Sequence, residues 1–304
     1  MERAPPQPIT DPADPRLDVF RGLIARGDRP DREHFFVESE LAVARLLASP
    51  HFTTLAVLGT PAHLGRLAPA CPALVASREL LRAVLGFDLH RGVIACAARP
   101  PALDLSSRTC PNGPARNDMS DPTCPIGAAR AIGPVVGAVS LDAALAGPAW
   151  TVLLVQGLAD PANLGSILRS ARAFAVDLVL LDPRGADPLA RRAVRAAMGH
   201  VFAQPLALAP DLSCAAGQLR ARGAGVWAAT VGPRARRLDA VSRPDRLLLM
   251  VGNEGIGLPE GLRAAADVEV TIPLAAAVDS LGVAAATAVL LHALAGARPG
   301  ATRA

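Results

Sequence analysis

The sequence predicts an α/β protein in which a small α/β domain precedes a C-terminal parallel-sheet domain. Five apolar runs in the second half, WTVLLVQ, DLVLLD, GVWAATV, RLLLMVG and VEVTIP, alternate with helical stretches that begin near Asn163, Pro188, Asp211, Leu258 and Ser280. Continuous apolar strands joined by helices are typical of a parallel sheet that is covered on both faces. A chain of 304 residues is also long enough for two domains with separate cores.

Four segments follow from the pattern along the chain. Residues 1–16 are rich in proline and are expected to be disordered. Residues 17–98 alternate short strands and helices, which predicts the small α/β domain. Residues 99–148 lose this periodicity and fill with Pro, Gly, Ser, Asn and Asp, which predicts a linker or insertion. Residues 149–298 contain the regular alternation and form the predicted sheet domain.

Composition and termini exclude several classes of protein. The net charge is +4 and every basic residue other than histidine is arginine, so the preference for an anionic partner is mild. A phosphate-binding loop of the Walker type requires lysine, which this chain lacks, and no G-x-S-x-G sequence of an esterase occurs. The N-terminus has no apolar stretch after its charges, and GVAAATAVLLHALAG is predicted to be a buried helix. We therefore expect a cytoplasmic protein without a membrane span.

No metal site is expected from the sequence. The six histidines show no metal-binding spacing. Cys110 and Cys124 lie in two similar T-C-P-x-G strings, but two cysteines cannot complete a tetrahedral zinc site. Chance occurrence in a low-complexity segment is the preferred interpretation, and a redox or metal role is the alternative.

The first candidate loop is LADPANLGSILRSARAF, which follows a predicted strand. Asn163 is predicted to cap a helix whose apolar face leaves Arg169 and Arg172 outside the core. Arg169 lies nearer to the loop and is the better candidate for contacting a phosphate or a hydroxyl group. For Arg172 the preferred interpretation is a solvated side chain.

Two further loops are predicted to lie beside the first. VGNEGIGLPE has glycines that allow close approach of a ligand, and it contains Glu254, an acid without a local basic partner. LAAAVDSLGVAAATAVLLHALAG follows the last strand, and Ser280 is predicted to cap its helix. Because loops after parallel strands leave from one edge of a sheet, the three loops predict a pocket lined largely by backbone.

In this order, N-L-G-S-I-L-R-S-A, V-G-N-E-G-I-G-L, I-P-L and D-S-L-G-V-A-A-A-T-A-V resemble the motifs of the SpoU (TrmH) family of RNA 2′-O-methyltransferases, within the SPOUT superfamily. The resemblance covers about residues 151–296. It implies a catalytic domain that ends in a deep trefoil knot, binds S-adenosylmethionine in the knot and forms a homodimer through it. HFFVESELAVARLL more faintly resembles the start of the ribosomal-protein-like RNA-binding domain that many members carry in front, although Ser39 stands where glycine is usual.

The resemblance also implies roles for individual residues. The positions that would bind the cofactor through backbone groups are Gly252, Ile272 and Leu281, with Thr230 as a weaker candidate. The polar positions expected to be catalytic are Asn163, Arg169, Glu254 and Ser280. Because a guanidinium seldom gives up its proton, Arg169 is expected to hold a phosphate and the developing alkoxide, while solvent or phosphate takes the proton.

One position departs from the family pattern. Gly282 stands where the family usually has asparagine, and glycine supplies no side-chain donor. The expected function is S-adenosylmethionine-dependent 2′-O-ribose methylation of tRNA or rRNA by a homodimer. The first alternative is an RNA-binding protein of this kind with weak or lost catalysis, and the second is an α/β domain with another ligand.

Two arginine clusters leave another question open. LARRAVRAAMGH contains the first cluster and GPRARRLD the second. They are either solvated faces or a path for an RNA backbone. Their members are Arg191, Arg192, Arg195, Arg234, Arg236 and Arg237.

Overall fold

A computed structural model of the chain describes residues 5–21, 23, 33–103, 132–137, 140–275 and 278–296. The described residues form two sheets with helices on both faces of each. Within these ranges, no helix combines the length and the apolar character that crossing a membrane requires.

The first sheet has five strands in the order β1-β4-β3-β5-β2. The strands are Gln7–Pro8 (β1), His34–Glu38 (β2), Thr54–Gly59 (β3), Ala73–Val75 (β4) and Val93–Ala98 (β5). The helices are Glu40–Ala48 (α1), Pro61–Leu67 (α2) and Arg78–Leu85 (α3). Strands β1, β4 and β3 run parallel, whereas β5 is antiparallel to β3 and to β2. The alternation predicted for this part of the chain is observed, and α2 and β4 are additional.

The prediction of disorder up to residue 16 is wrong for the described N-terminal residues. Gln7–Pro8 pairs with β4, and Ile9 is buried. A 3₁₀ turn over Pro15–Phe20 then buries Leu17 and Phe20. A proline-rich segment fits here because β1 is an edge strand, where a proline without an N–H group leaves no ladder bond unmade.

The turn between β2 and α1 contains Ser39, which stands where the sequence resemblance indicated glycine. Ser39 has φ of 85° and ψ of 142°, a conformation that favours glycine. Its hydroxyl accepts a long hydrogen bond of 3.4 Å from the backbone N–H of Ala42. The side chain therefore offers a weak helix cap in a strained conformation, which costs on the order of 1–3 kcal/mol.

The second sheet has seven parallel strands in the order β10-β12-β9-β11-β6-β7-β8. They are Trp150–Val155 (β6), Leu178–Leu181 (β7), Leu206–Leu208 (β8), Gly225–Ala229 (β9), Arg236–Arg237 (β10), Arg246–Val251 (β11) and Val268–Thr271 (β12). The helices are Leu141–Ala144 (α4), Pro161–Ala173 (α5), Arg191–Ala196 (α6), Leu212–Ala221 (α7), Glu260–Ala264 (α8) and Val283–Ala295 (α9). The predicted parallel sheet is confirmed.

The strands of the second sheet bury side chains on both faces. Leu153 and its neighbours on one face pack with residues of α5, α6 and α9. Leu154 and its neighbours on the other face pack with residues of α7 and α8. Because successive side chains of a strand point to opposite faces, a strand covered twice must be apolar throughout, as the sequence pattern indicated.

The two sheets share one core and one buried ion pair. The ring of Phe202 lies 5.9 Å from the ring of Phe35 and 5.2 Å from that of Phe52, centroid to centroid. Arg99 Nη2 lies 2.7 Å from Asp187 Oδ2, and their side chains are only 2% and 3% exposed. Two charges removed from water in this way depend on each other, so the ion pair fixes the front domain against the second sheet.

The predicted linker over residues 99–148 is partly integrated into this fold. Arg99 begins it with the buried ion pair, and Leu103 is fully buried. Val136 bridges β8 in antiparallel fashion, and Ile132 is 4% exposed. The linker prediction is therefore wrong for these flanking residues, whose apolar side chains are scattered too sparsely to give a periodic signal. Cys110 and Cys124 lie outside the described residues.

Candidate active site

The candidate loops leave from one edge of the second sheet. Strands β6, β11, β9 and β12 are consecutive neighbours and run in the same direction. The loops that follow them therefore meet at the carboxyl edge, where open α/β sheets bind ligands. This confirms the expected placement of the loops relative to one another.

The glycine-rich loop, residues 252–258, is held by Asn253. The amide Nδ2 of Asn253 donates to Gly157 O at 2.7 Å, which ties this loop to the loop after β6. Its Oδ1 accepts from the backbone N–H of Gly255 at 2.8 Å and of Ile256 at 3.3 Å. We did not predict that Asn253 holds this loop. The available sequence signal was the tendency of asparagine to form a hydrogen bond with the backbone two residues ahead.

Gly252 is required by the shape of the same loop. A Cβ atom built on Gly252 would lie 2.3 Å from the carbonyl carbon of Gly257 and 2.4 Å from the nitrogen of Leu258. Gly257 itself has φ of 66°, where a side chain is strained. In this structure both glycines allow the loop to fold back on itself, and contact of Gly252 with a cofactor stays a prediction.

Asn163 and Glu254 come together across two loops. The amide Nδ2 of Asn163 donates to Glu254 Oε1 at 2.7 Å. Asn163 is the third residue of α5 and not its cap, because Asp160 accepts the backbone N–H of Ala162 at 3.0 Å. The helix begins earlier than predicted since Pro161 suits the first helical position. We call Asn163 and Glu254 the amide–carboxylate pair.

Arg169 lies on another side of α5. Its side chain is exposed, and among the described residues it forms no hydrogen bond or ion pair, with the amide–carboxylate pair or with any other group. Its charge instead reaches His200, on the 3₁₀ turn His200–Phe202 that packs against α5. Among the described residues, Arg169 and the amide–carboxylate pair therefore make no direct contact, and their shared role in one site stays a prediction.

Residues 278–282 of the third loop are all exposed. Helix α9 begins at Val283, and its N-cap is Gly282, which provides no side-chain hydrogen bond. The prediction that Ser280 caps this helix is therefore wrong, since the N-cap lies two residues later, at Gly282. Leu281 is 37% exposed, and Ser280 is exposed beside it.

The remaining predicted cofactor residues end the neighbouring strands β9 and β12. The backbone N–H of Thr230 donates to Val270 O at 3.0 Å, and its hydroxyl donates to Val231 O at 3.3 Å. Ile272 follows β12 and is half-buried against the core. Both residues therefore lie at the same sheet edge as Gly252, and their contact with a ligand stays a prediction.

The two sequence-predicted arginine clusters are largely neutralised. Most of their members pair with acids: Arg191 with Glu38, Arg192 with Asp160, Arg234 with Glu260 and Glu269, and Arg237 with Asp239. Arg236 donates to the carbonyl oxygen of Ala240 at 3.1 Å. A path for an RNA backbone needs unneutralised cations, so these pairings favour the interpretation as solvated faces.

The described part of the chain contains no group of three or more His, Cys, Asp and Glu side chains that could hold a metal ion.

Comparison with known proteins gives consistent matches. Residues 151–292 match the SpoU rRNA Methylase family. The chain is 36% identical to an uncharacterized tRNA/rRNA methyltransferase of Mycobacterium tuberculosis, across 94% of this chain and 90% of that protein. It is 32% identical to the 23S rRNA (guanosine(2553)-2′-O)-methyltransferase RlmP of Bacillus subtilis, across 48% of this chain and 58% of that protein.

Solved structures share the fold over nearly the whole chain. An RNA 2′-O ribose methyltransferase superposes with a TM-score of 0.67 at 26% identity, covering 95% of this chain and 98% of that one. An AdoMet-bound rRNA methyltransferase from Sinorhizobium meliloti superposes with a TM-score of 0.66 at 22% identity, covering 95% and 97%. Both likenesses therefore extend across the front domain as well as the second sheet.

Proposed function

The chain belongs to the SpoU family of tRNA/rRNA methyltransferases, and on this premise we propose that it methylates the 2′-oxygen of a ribose in tRNA or rRNA, with S-adenosylmethionine as donor. The observation that carries the proposal is the 2.7 Å hydrogen bond between Asn163 and Glu254. It joins two separate family motifs at the carboxyl edge of the sheet. The 2′-O position is supported by the named activities of the Bacillus subtilis relative and of the 26% identical structure.

The sheet edge fits S-adenosylmethionine. A Cβ atom built on Gly232, Gly257 or Gly282, in the loops after β9, β11 and β12, has no heavy atom within 4 Å, so open space adjoins all three loops. Free backbone groups beside the apolar side chains of Ile272 and Leu281 suit an adenine ring and a methionine chain. When bound, the cofactor supplies a methyl group that its sulfonium charge has activated.

The protein's own groups then hold and align the ribose. The 2′-oxygen forms a bond to the methyl carbon while the carbon–sulfur bond breaks, and the hydroxyl proton passes to solvent or to a phosphate. A guanidinium seldom gives up its proton, so Arg169 acts through its N–H groups, which hold a phosphate and the developing alkoxide. Alignment of oxygen, carbon and sulfur is the main contribution to the rate.

The amide–carboxylate pair and the third loop complete the proposed site. Asn163 fixes the carboxylate of Glu254 at the entrance to the glycine-rich loop. Glu254 has an oxygen left to accept a hydrogen bond from the ribose or the cofactor. Ser280 is exposed in the third loop, and its hydroxyl is available for the same purpose.

The trefoil knot and the homodimer belong to the same proposal. Strand β11 lies between β6 and β9, whose ends at Val155 and Gly225 are joined by 69 residues that include α5 and α7, so the chain must return through the middle of the sheet. Ile256, Val278 and Val289 are large apolar side chains that are 81%, 49% and 42% exposed. Burial of these exposed apolar side chains against a second copy would favour association. The proposed location is the cytoplasm, with the RNA substrates.

A second candidate function rests on Gly282. This residue caps α9 beside open space, where the family's asparagine would place an amide. A protein that lacks this amide would bind RNA and methylate it slowly or not at all. The two candidates differ in turnover and not in RNA binding.

Transfer of labelled methyl groups tests the proposal. The purified protein is incubated with methyl-labelled S-adenosylmethionine and either 23S rRNA or total tRNA from a strain that lacks the gene. We expect label at a ribose that resists alkaline cleavage, and its loss in Arg169→Ala, with Arg82→Ala on the front domain as the control. Label on a base would contradict the 2′-O assignment. Bound but unlabelled RNA would favour the second candidate.

A further inference from the structure

Four basic side chains that are distant in sequence converge where the two domains meet. Helices α1 and α5 both pack against the 3₁₀ turn His200–Phe202. Arg45 lies on α1, Arg169 and Arg172 lie on α5, and His200 begins the turn. We call these four residues the junction cluster.

The junction cluster lacks the acids that neutralise the other arginines. Within the described ranges, Arg45, Arg169 and Arg172 form no ion pair. The guanidinium of Arg45 donates to the carbonyl oxygen of Met198, which leaves its charge uncompensated. Arg169 and Arg172 are exposed. The cluster is therefore a concentrated positive surface, in contrast to the paired arginines of α6 and the β10 region.

The surroundings of His200 link the four groups electrostatically. Burial of the imidazole lowers the pKa of His200 most, and the charges of Arg45, Arg169 and Arg172 lower it further. Cations therefore approach the ring from both packed helices, and no carboxylate of the described residues offsets them. Like charges held together in this way are stabilised by an anion that binds among them.

The spacing within the cluster is fixed by the fold. The hydroxyl of Ser49, at the end of α1, donates to Phe202 O at 2.8 Å, and the rings of Phe52 and Phe202 are in contact. The front-domain cation Arg45 therefore keeps a set position relative to Arg169. A rigid pair of cations from two domains suits one extended polyanion better than two separate ligands.

We propose that the junction cluster binds a backbone phosphate of the RNA beside the target nucleotide, so that the front domain and the catalytic domain hold one strand in a fixed register. This inference rests on the proposed methylation of RNA and deepens it, because it assigns Arg45, Arg172 and His200 to substrate positioning. Arg169 keeps the role proposed above, and the phosphate that it holds is the one that the junction cluster binds.

Affinity and turnover of charge-removing variants test the proposal. The variants are Arg45→Gln and Arg172→Gln, and the control is Arg82→Gln, an exposed arginine of α3 on the opposite face of the first sheet. Binding of 23S rRNA and total tRNA is measured by filter retention at several salt concentrations. Each test variant is expected to weaken binding about tenfold and to reduce the slope of log affinity against log salt by about 0.7–0.9. The KM for RNA should rise while kcat stays within about twofold of wild type.

The outcomes separate this proposal from the proposed function. If wild type methylates RNA and both test variants bind RNA as tightly as Arg82→Gln does, the proposed role of the junction cluster is wrong. The proposed methyltransferase function is then still supported. If wild type neither binds nor methylates RNA, both proposals fall. Arg45→Gln removes a contact to Met198 O, so Arg172→Gln, which leaves every described contact intact, decides whether a loss of affinity is electrostatic.

A pH dependence provides a second readout. Because a bound phosphate raises the pKa of His200, RNA binding takes up a proton, and affinity falls as the pH rises through the pKa of the complex. The ratio of affinities at pH 6 and pH 8 should shrink in His200→Gln. An unchanged ratio would remove His200 from the cluster.

Discussion

The glycine-rich loop and the third loop leave the same sheet edge but are held very differently. Asn253 makes three side-chain hydrogen bonds within and beside the first loop, and Gly252 lets that loop pack on itself. In the third loop, all five residues from 278 to 282 are exposed, and the described backbone bond at its start, from Val278 N to Ala275 O, is 3.2 Å long. One loop is shaped by its own sequence, whereas the described residues 278–282 of the other are open to contact with a ligand or a second copy.

The largest expected effect comes from adding the same methyl group to each loop. In Gly252→Ala the new Cβ would lie 2.3 Å from backbone, so the loop must open, and we expect binding of S-adenosylmethionine to weaken about 100-fold or more. In Gly282→Ala the Cβ meets nothing within 4 Å, and binding should change little. Calorimetric titration measures both. Equal losses would show that the two loops are equally constrained.

A smaller effect is expected when the side chain of Asn253, which holds the glycine-rich loop, is removed without a change in the glycines. Asn253→Ala loses the bond to Gly157 O and leaves two loop amides without their acceptor. We expect a loss of about 1–3 kcal/mol in the free energy of unfolding, together with weaker cofactor binding. Asn253→Asp keeps the acceptor oxygen. Its free energy of unfolding, measured by urea denaturation, should lie between those of wild type and Asn253→Ala. Wild-type stability of Asn253→Ala would mean that the loop does not depend on this side chain.

The amide–carboxylate pair is expected to act as a unit. Asn163→Ala and Glu254→Ala should each slow methyl transfer, and the double variant should be little slower than the worse single variant, because both remove the same hydrogen bond. Single-turnover rates with saturating cofactor measure this coupling. Effects that multiply would indicate that the two residues contribute independently.

The smallest effect is expected from restoring the family's amide to the third loop. Gly282 has φ of −55°, and its Cβ position is open, so Gly282→Asn fits without strain and can cap α9. We expect a gain of a few tenths of a kcal/mol in stability, with a faster kcat. Thermal melting and turnover on the same RNA measure the two effects. An unchanged kcat would show that glycine is no handicap and would remove the main support for the non-catalytic candidate.

The sequence predicted the parallel sheet well because strands buried on both faces are continuous apolar runs in the sequence. It predicted helix starts less well. Pro161 allows α5 to begin before Asn163, and Gly282 delays α9 beyond Ser280. In both cases the choice among neighbouring cap residues depends on backbone geometry that a linear pattern does not contain.

Contacts between residues that are distant in sequence could not be predicted from the sequence pattern for another reason. The motifs carried Asn163 and Glu254 separately, and only the neighbouring positions of β6 and β11 bring them together. The junction cluster has no sequence signature, since Arg45 precedes Arg169 by more than a hundred residues. The arginine runs that did stand out are mostly neutralised by acids that also come from elsewhere in the chain.

The buried pair of Arg99 and Asp187 has a consequence for cooperativity. Cutting the chain between the sheets would leave Asp187 buried without its counterion and would expose the ring of Phe202. Neither half then keeps a complete interior, so heat should unfold both in a single calorimetric transition despite the two sheets. A catalytic half produced alone would need Asp187→Asn and a polar replacement of Phe202 before it could remain monodisperse.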